Sequence, residues 1–217
     1  MQRKRVAILI SGRGSNMAAL ISAAADPDYP AEIVLVVSNH ADAAGLVRAK
    51  AAKIATLVVD HRAFGKDREA FERALDTELS SRQIDVICLA GFMRLFTPWF
   101  VSRWQGRMIN IHPALLPAFK GLDTHERALA AGVKVHGASV HFVIPEMDSG
   151  PIIVQSAVPV RDDDTPDTLA ARVLVAEHRI YPLALRWLAE GRLTVVDGRC
   201  KVAGANDHAE MLISPSV

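Results

Sequence analysis

A doubly wound α/β fold with a mostly parallel sheet is what this sequence predicts, and three observations predict it. Short β-branched runs alternate with Ala-rich stretches of helical spacing through the N-terminal half. The apolar run over 84–90 reads as a strand covered on both faces, the mark of a parallel sheet. A glycine turn, Ser11-Gly12-Arg13-Gly14-Ser15-Asn16, joins the first such strand directly to the first helix.

The elements follow in order. The pattern predicts a strand over 5–10, a helix over 15–25 closed by Asp26-Pro27, a strand over 33–38 and a helix over 43–52. A short strand over 56–60 precedes a long helix over 66–80, whose Phe71, Leu75 and Leu79 recur at helical spacing, and the strand over 84–90 follows. The second half changes character. A helical stretch over 98–104, a strand over 108–112 and a helix over 124–131 lead to two antiparallel strands, 138–143 and 152–159, around a loop rich in Pro, Gly and acid. An amphipathic helix over 166–189 is capped by Asp164 or Thr165, with a kink expected near Pro182. The last predicted element is a short strand over 193–196; residues 203–217 are expected to fray. The sheet is thus expected to carry an antiparallel portion in its C-terminal half, within a single domain spanning 1–217.

Composition excludes several classes. With 25 basic against 24 acidic residues, net +1, no basic field calls for nucleic acid or an anionic membrane. No apolar stretch approaches a membrane span, and the basic start leads into a run too short for a signal-peptide core. Cys88 lies in a buried-strand context and Cys200 near the tail. The pair offers no zinc spacing and implies no disulfide, so a cytoplasmic protein is expected.

The residues that suggest chemistry lie in the second half. Asn110 and His112 alternate around Ile111, so on an extended segment both side chains leave one face, and Pro113 stops the strand. If Asp148 folds back towards His112, the three supply a polarising amide, an acid–base group and a carboxylate that favours the imidazolium. Such a set suits transfer of an acyl-level carbon. The glycine turn lacks the third glycine of a dinucleotide fingerprint and the Lys of a P-loop, so it fits a phosphate monoester; otherwise it is a plain turn with Ser15 as cap. Met93, Arg94, Leu95 and Phe96 suit either a flat heteroaromatic pocket or ordinary packing. His125, His136 and His141 show no metal-ligand spacing, and no metal is expected. Pro117 stands in a tight turn where a cis bond is admissible.

Taken together, several segments closely resemble the phosphoribosylglycinamide formyltransferase family over about residues 5–200. They are Ser11-Gly12-x-Gly14-Ser15-Asn16, Leu89-Ala90-Gly91-Phe92-Met93-Arg94, Asn110-Ile111-His112-Pro113, His136-Gly137-x-Ser139-Val140-His141 and Asp148-x-Gly150-Pro151. The resemblance implies a Rossmann-like formyltransferase fold, with a nucleotide-binding half over about 1–100 and a folate and catalytic half over about 101–200. It implies a formyl donor, 10-formyltetrahydrofolate, and an acceptor, glycinamide ribonucleotide, with Asn110, His112 and Asp148 catalytic. Gly14, Ser15, Asn16 and Glu177 would hold the ribonucleotide, although Glu177 is otherwise read as an exposed helix residue. Arg68, Met93, Arg94, Leu95, Phe96, Asn110, Ile144, Pro145, Glu146, Met147 and Asp148 would hold the folate. The Asn-x-His-Pro and Asp signature is shared with methionyl-tRNA formyltransferase and formyltetrahydrofolate deformylase. The first carries a further C-terminal domain and a basic face, the second a preceding regulatory domain; neither is expected here. A deformylase, or a regulator that binds folate or nucleotide without turnover, is the rival reading. Monomer and homodimer stay open, Arg13 is a possible extra phosphate contact, and the tail has no assigned role.

Overall fold

The computed structural model describes residues 2–204 and Ser214; the rest of the predicted fraying tail lies outside the described residues. The chain runs β1 Lys4–Ile10, α1 Ser15–Ala24, β2 Ala31–Ser38, α2 Ala44–Ala51, β3 Ala55–Val58, a 3-10 turn His61–Phe64, α3 Arg68–Ser81 and β4 Val86–Leu89. It continues with α4 Pro98–Arg103, β5 Met108–His112, α5 Thr124–Ala130, β6 Val135–Phe142, β7 Ile152–Pro159, α6 Pro166–Ala189, β8 Leu193–Val196 and β9 Arg199–Val202.

Seven strands form one sheet in the order β3-β2-β1-β4-β5-β6-β7. The first five pair in parallel, whereas β5–β6 and β6–β7 are antiparallel. The Rossmann-like, mostly parallel sheet with an antiparallel C-terminal portion is therefore the architecture. β1 shows why the strands form. Val6, Ile8 and Ile10 point into one core with α1 and α6, Ala7 and Leu9 into the other with α3 and α4, and all five are fully buried. The chain winds outward from β1 to β3 and then returns to β4 on the other side. That reversal opens a crevice at the carboxyl ends of β1 and β4, where ligands of open α/β sheets bind. Tyr181 of α6 is fully buried, and its hydroxyl lies 2.8 Å from the Leu89 carbonyl and 3.2 Å from that of Ile109, pinning β4 to β5 just below the crevice.

Several boundaries differ from the sequence pattern. β6 starts at Val135 rather than 138, because His136 and Gly137 pair with Val158 and Ala157 of β7. A Cβ on Gly137 would stand 2.0 Å from the Ser156 carbonyl oxygen, so glycine is what lets the strands approach. The predicted last strand has a partner, β9, joined through Asp197 and Gly198, both at positive φ. That Asp-Gly pair is a two-residue hairpin signal, and the strand pattern alone does not extend to it. The last long helix keeps the bounds the pattern predicts: Thr165 caps α6 with a reciprocal bond to Thr168, and Pro182 lies within it. Pro182's carbonyl accepts a 2.6 Å bond from the Tyr29 hydroxyl. The Leu116–Pro117 bond is cis.

Candidate active site

Asn110 and His112 occupy the carboxyl end of β5, where register sets them opposite His141 and Ser139 of β6. Four polar residues thus share one face, and what each touches follows from that pairing. His112 is buried; its Nε2–H donates to the Phe119 carbonyl at 3.0 Å, because a carbonyl can only accept. Nδ1 is left facing Asp148, with Oδ2 at 3.4 Å. The structure therefore brings His112 and Asp148 together, with Nδ1 the ring nitrogen turned to the carboxylate.

His141 supplies what the sequence pattern misses. Its Nδ1–H donates to the Phe142 carbonyl at 2.9 Å, and burial pushes the imidazole towards its neutral form. Nε2 is then an acceptor, 3.3 Å from Asn110 Nδ2 and 3.7 Å from Asp148 Oδ1. This network assigns the Asn110 amide: Nδ2 faces His141 with one hydrogen, and the second remains for a ligand. Read from sequence, His141 is only a weak metal candidate. Its alternation with Ser139 is visible there, but its partner requires the β5–β6 register.

Asp148 adopts a positive φ of 49°, which Asp tolerates better than most residues, and the Gly121 N–H donates to Oδ2 at 2.9 Å. Lys120 also bonds Ser149 at 2.7 Å, so the loop after Pro113 braces the loop that carries Asp148. Ser139 fixes the first of these loops from below. Its hydroxyl donates to the Ala114 carbonyl at 2.7 Å and accepts from Leu116 N–H at 3.0 Å and Gln155 Nε2 at 2.8 Å.

At the end of β1, Gly14 rather than Ser15 takes the N-cap of α1, at φ 69°. The helix start has no side-chain cap bond and no acidic residue in its first turn, so no side chain competes for its amides. Asn16 donates through Nδ2 to Glu177 Oε2 at 2.6 Å, and both are buried. Glu177 is thus no exposed helix residue, and burial pushes its carboxyl up while the Asn16 bond opposes. Asn16 Oδ1 is buried without a partner among the described residues. The Arg13 side chain is exposed.

The remaining predicted residues flank this centre. Arg68 opens α3 and is exposed. Met93 and Leu95 are 66% and 59% exposed, Phe96 stacks on Phe92 and Phe100, and the Arg94 guanidinium lies 6.0 Å from the Phe71 ring. Ile144 is half-buried, while Pro145, Glu146 and Met147 are exposed on the loop leading to Asp148. Among the described residues, no cluster of His, Cys, Asp and Glu could hold a metal ion.

Behind His112, His125 and His136 meet edge to face at 5.4 Å. Neither ring nitrogen of buried His136 has a partner among the described residues. Burial, and then repulsion from His125, push its titration down to about 4 from the usual 6.5. The unfolded chain gains this proton near pH 6.5 and the folded chain only near 4. Stability is therefore full above about 6.5 and falls with pH towards 4, by up to about 1.4 kcal/mol per pH unit from this residue. Denaturant melts between pH 7 and 4 measure the slope, and His136→Leu is expected to flatten it. An equally steep profile in the variant would rule out His136 as a source.

A family model described as formyl transferase matches residues 4–185. The phosphoribosylglycinamide formyltransferase of Escherichia coli is 49% identical over 188 residues, covering 87% of this chain and 88% of that protein. The trifunctional purine biosynthetic protein adenosine-3 of Bos taurus is 50% identical over 190 residues; the match covers 88% of this chain but only 19% of that protein's length. Among solved structures, glycinamide ribonucleotide transformylase 1 from Symbiobacterium toebii superimposes with a TM-score of 0.89 at 44% identity, covering 92% of this chain and 94% of that one. A formyltetrahydrofolate deformylase from Pseudomonas syringae reaches 0.86 at 29% identity, covering 93% of this chain and 66% of that one. The chain belongs to the formyl transferase family.

Proposed function

We propose that this chain transfers the formyl group of 10-formyltetrahydrofolate to the amine of glycinamide ribonucleotide, in purine biosynthesis and in the cytoplasm. The observation that carries the reading is the connected set Asn110, His141, Asp148 and His112, in which one Asn110 amide hydrogen is left for a substrate and His112 Nδ1 faces the Asp148 carboxylate. The ribonucleotide phosphate sits on the free amides after Gly14 and Ser15, and Asn16 and Glu177 receive its sugar. The orphaned Asn16 Oδ1 supports this, since a buried acceptor without a donor calls for one from a ligand. The folate lies against Met93, Arg94, Leu95 and Phe96 and the loop Ile144, Pro145, Glu146, Met147, Asp148, with Arg68 towards its acidic tail. The N-terminal half then serves the nucleotide and the C-terminal half the folate and the chemistry, in one catalytic unit.

In the reaction the amine nitrogen bonds the formyl carbon, whose oxygen takes up negative charge. Asn110 Nδ2–H stabilises that charge. The His112 imidazolium, with Asp148 beside Nδ1, supplies the positive charge. The carbon–N10 bond then breaks, and the proton lost by the amine passes by way of Asp148 and His112 to N10.

An absorbance assay of folate deformylation, run with and without the ribonucleotide, tests this. Turnover only in its presence is expected. Formate release in its absence would make the chain a deformylase, and folate binding without turnover in either case a regulator. Glu177→Gln is expected to raise the ribonucleotide KM about tenfold, because it turns one of two buried acceptor oxygens into an amide donor. A change confined to the folate KM would displace Glu177 from the nucleotide site.

A further inference from the structure

Residues 91–97 cross the mouth of the crevice from β4 to α4 without secondary structure of their own. Among the described residues, no backbone-to-backbone hydrogen bond reaches residues 92–96. Met93 and Leu95 point outward while Phe92, Arg94 and Phe96 are half-buried, an extended alternation in which, among the described residues, the Met93 amide is bonded to a side chain and those of Arg94 and Leu95 are open. Such open amides can read the rim of a heterocycle only if something else holds the segment still.

Two side chains do. At one end Ser11 Oγ accepts the Met93 N–H at 2.8 Å and donates to Asn39 Oδ1 at 2.6 Å. At the other, Glu72 of α3 accepts the Thr97 N–H at 2.7 Å and also the Thr97 hydroxyl. Glu72 is 1% exposed, a costly place for a carboxylate unless its acceptors are used. Thr97 is moreover the N-cap residue of α4, yet its side chain makes no cap bond. A threonine there ordinarily accepts from the helix's own first-turn N–H; here the hydroxyl is turned away to Glu72. α4 gives up its cap so that the preceding segment is tied to α3, one turn beyond Arg68.

We infer that Glu72 is a positioning residue for the folate: through Thr97 it fixes the far end of residues 93–97 and locks them to the helix that carries Arg68. This rests on the assignment of that segment to the folate. Glu72 does not touch the reacting atoms, so its loss acts on donor binding and leaves the chemical step alone.

Steady-state kinetics of Glu72→Gln, Thr97→Val and Thr97→Ser test the inference. Glu72→Gln and Thr97→Val are expected to raise the folate KM about tenfold, with kcat within about twofold and the ribonucleotide KM unchanged. Thr97→Ser keeps the hydroxyl and is expected to retain the wild-type KM. If Glu72→Gln folds poorly, the two Thr97 variants give the answer alone. A fall in Tm with an unchanged folate KM would mean that Glu72 merely joins two helices, and the inference would be overturned. Met93→Ser and Leu95→Ser separate the two levels. If they raise the folate KM while Glu72→Gln and Thr97→Val do not, only the Glu72 inference fails. If they too leave it unchanged, the folate assignment of the segment fails with it.

Discussion

Asn110→Ala is expected to lower kcat by about 100- to 1,000-fold, the cost of removing one preorganised donor to a developing oxyanion. The effect falls on kcat because the amide hydrogen strengthens its bond only as charge builds on the formyl oxygen. The fold should survive. Asn110 is half-buried at a strand end, and its partner, His141 Nε2, is held near the neutral state in which it loses one weak bond and no charge pairing. The measurement is single-turnover transfer at saturating donor and acceptor, with a thermal melt alongside. Turnover within a few-fold of the wild type would remove Asn110 from the catalytic set. His141 predicts a graded companion result: its loss frees the Asn110 amide to rotate without deleting it, so the fall in kcat is smaller than that of Asn110→Ala.

Gly150→Ala has the second largest expected effect, and it joins stability to activity. A Cβ at Gly150 would stand 1.8 Å from the Phe142 carbonyl oxygen, a backbone atom that cannot swing aside. Phe142 is held from both sides, since its N–H donates to the Pro151 carbonyl at 3.0 Å and its carbonyl accepts from His141 Nδ1. The loop must move instead, and Asp148 lies two residues upstream. Overpacking of this kind costs about 1–3 kcal/mol, or a drop of roughly 2–12 °C in Tm for a chain of this size. Displacing Asp148 by about 1 Å from His112 is expected to cost on the order of 100-fold in kcat. A variant with wild-type Tm and turnover would show that the loop can be carried elsewhere without harm.

How much of this is legible in the sequence differs by residue, for physical reasons. Asn110 and His112 are readable because strand periodicity is local: two residues apart means one face, whatever the rest of the chain does. The glycine turn is readable for a like reason, since a strand running straight into a helix leaves amides free. Asp148 is readable from the residues only as a conditional partner, and the resemblance is what singles it out, because a loop acid carries no local sign of where its loop folds. Glu177 shows the limit most plainly. Its sequence neighbourhood is that of an ordinary helix, and only the packing of α6 against α1 buries it and aims it at Asn16.

By itself, then, the sequence determined the alternation of strands and helices, the doubly wound sheet with its antiparallel end, and the chemical types of the site residues. These depend on patterns within a few residues and on burial periodicity, which neighbours along the chain already express. Only the tertiary structure decided the pairings: His141 between Asn110 and Asp148, His112 Nδ1 against Asp148, Glu72 beneath Thr97, and glycine at 137 and 150 where another backbone presses close. Each depends on strand register or on a contact between elements distant in sequence, and a one-residue slip of register would turn the strand side chains among them to the opposite face.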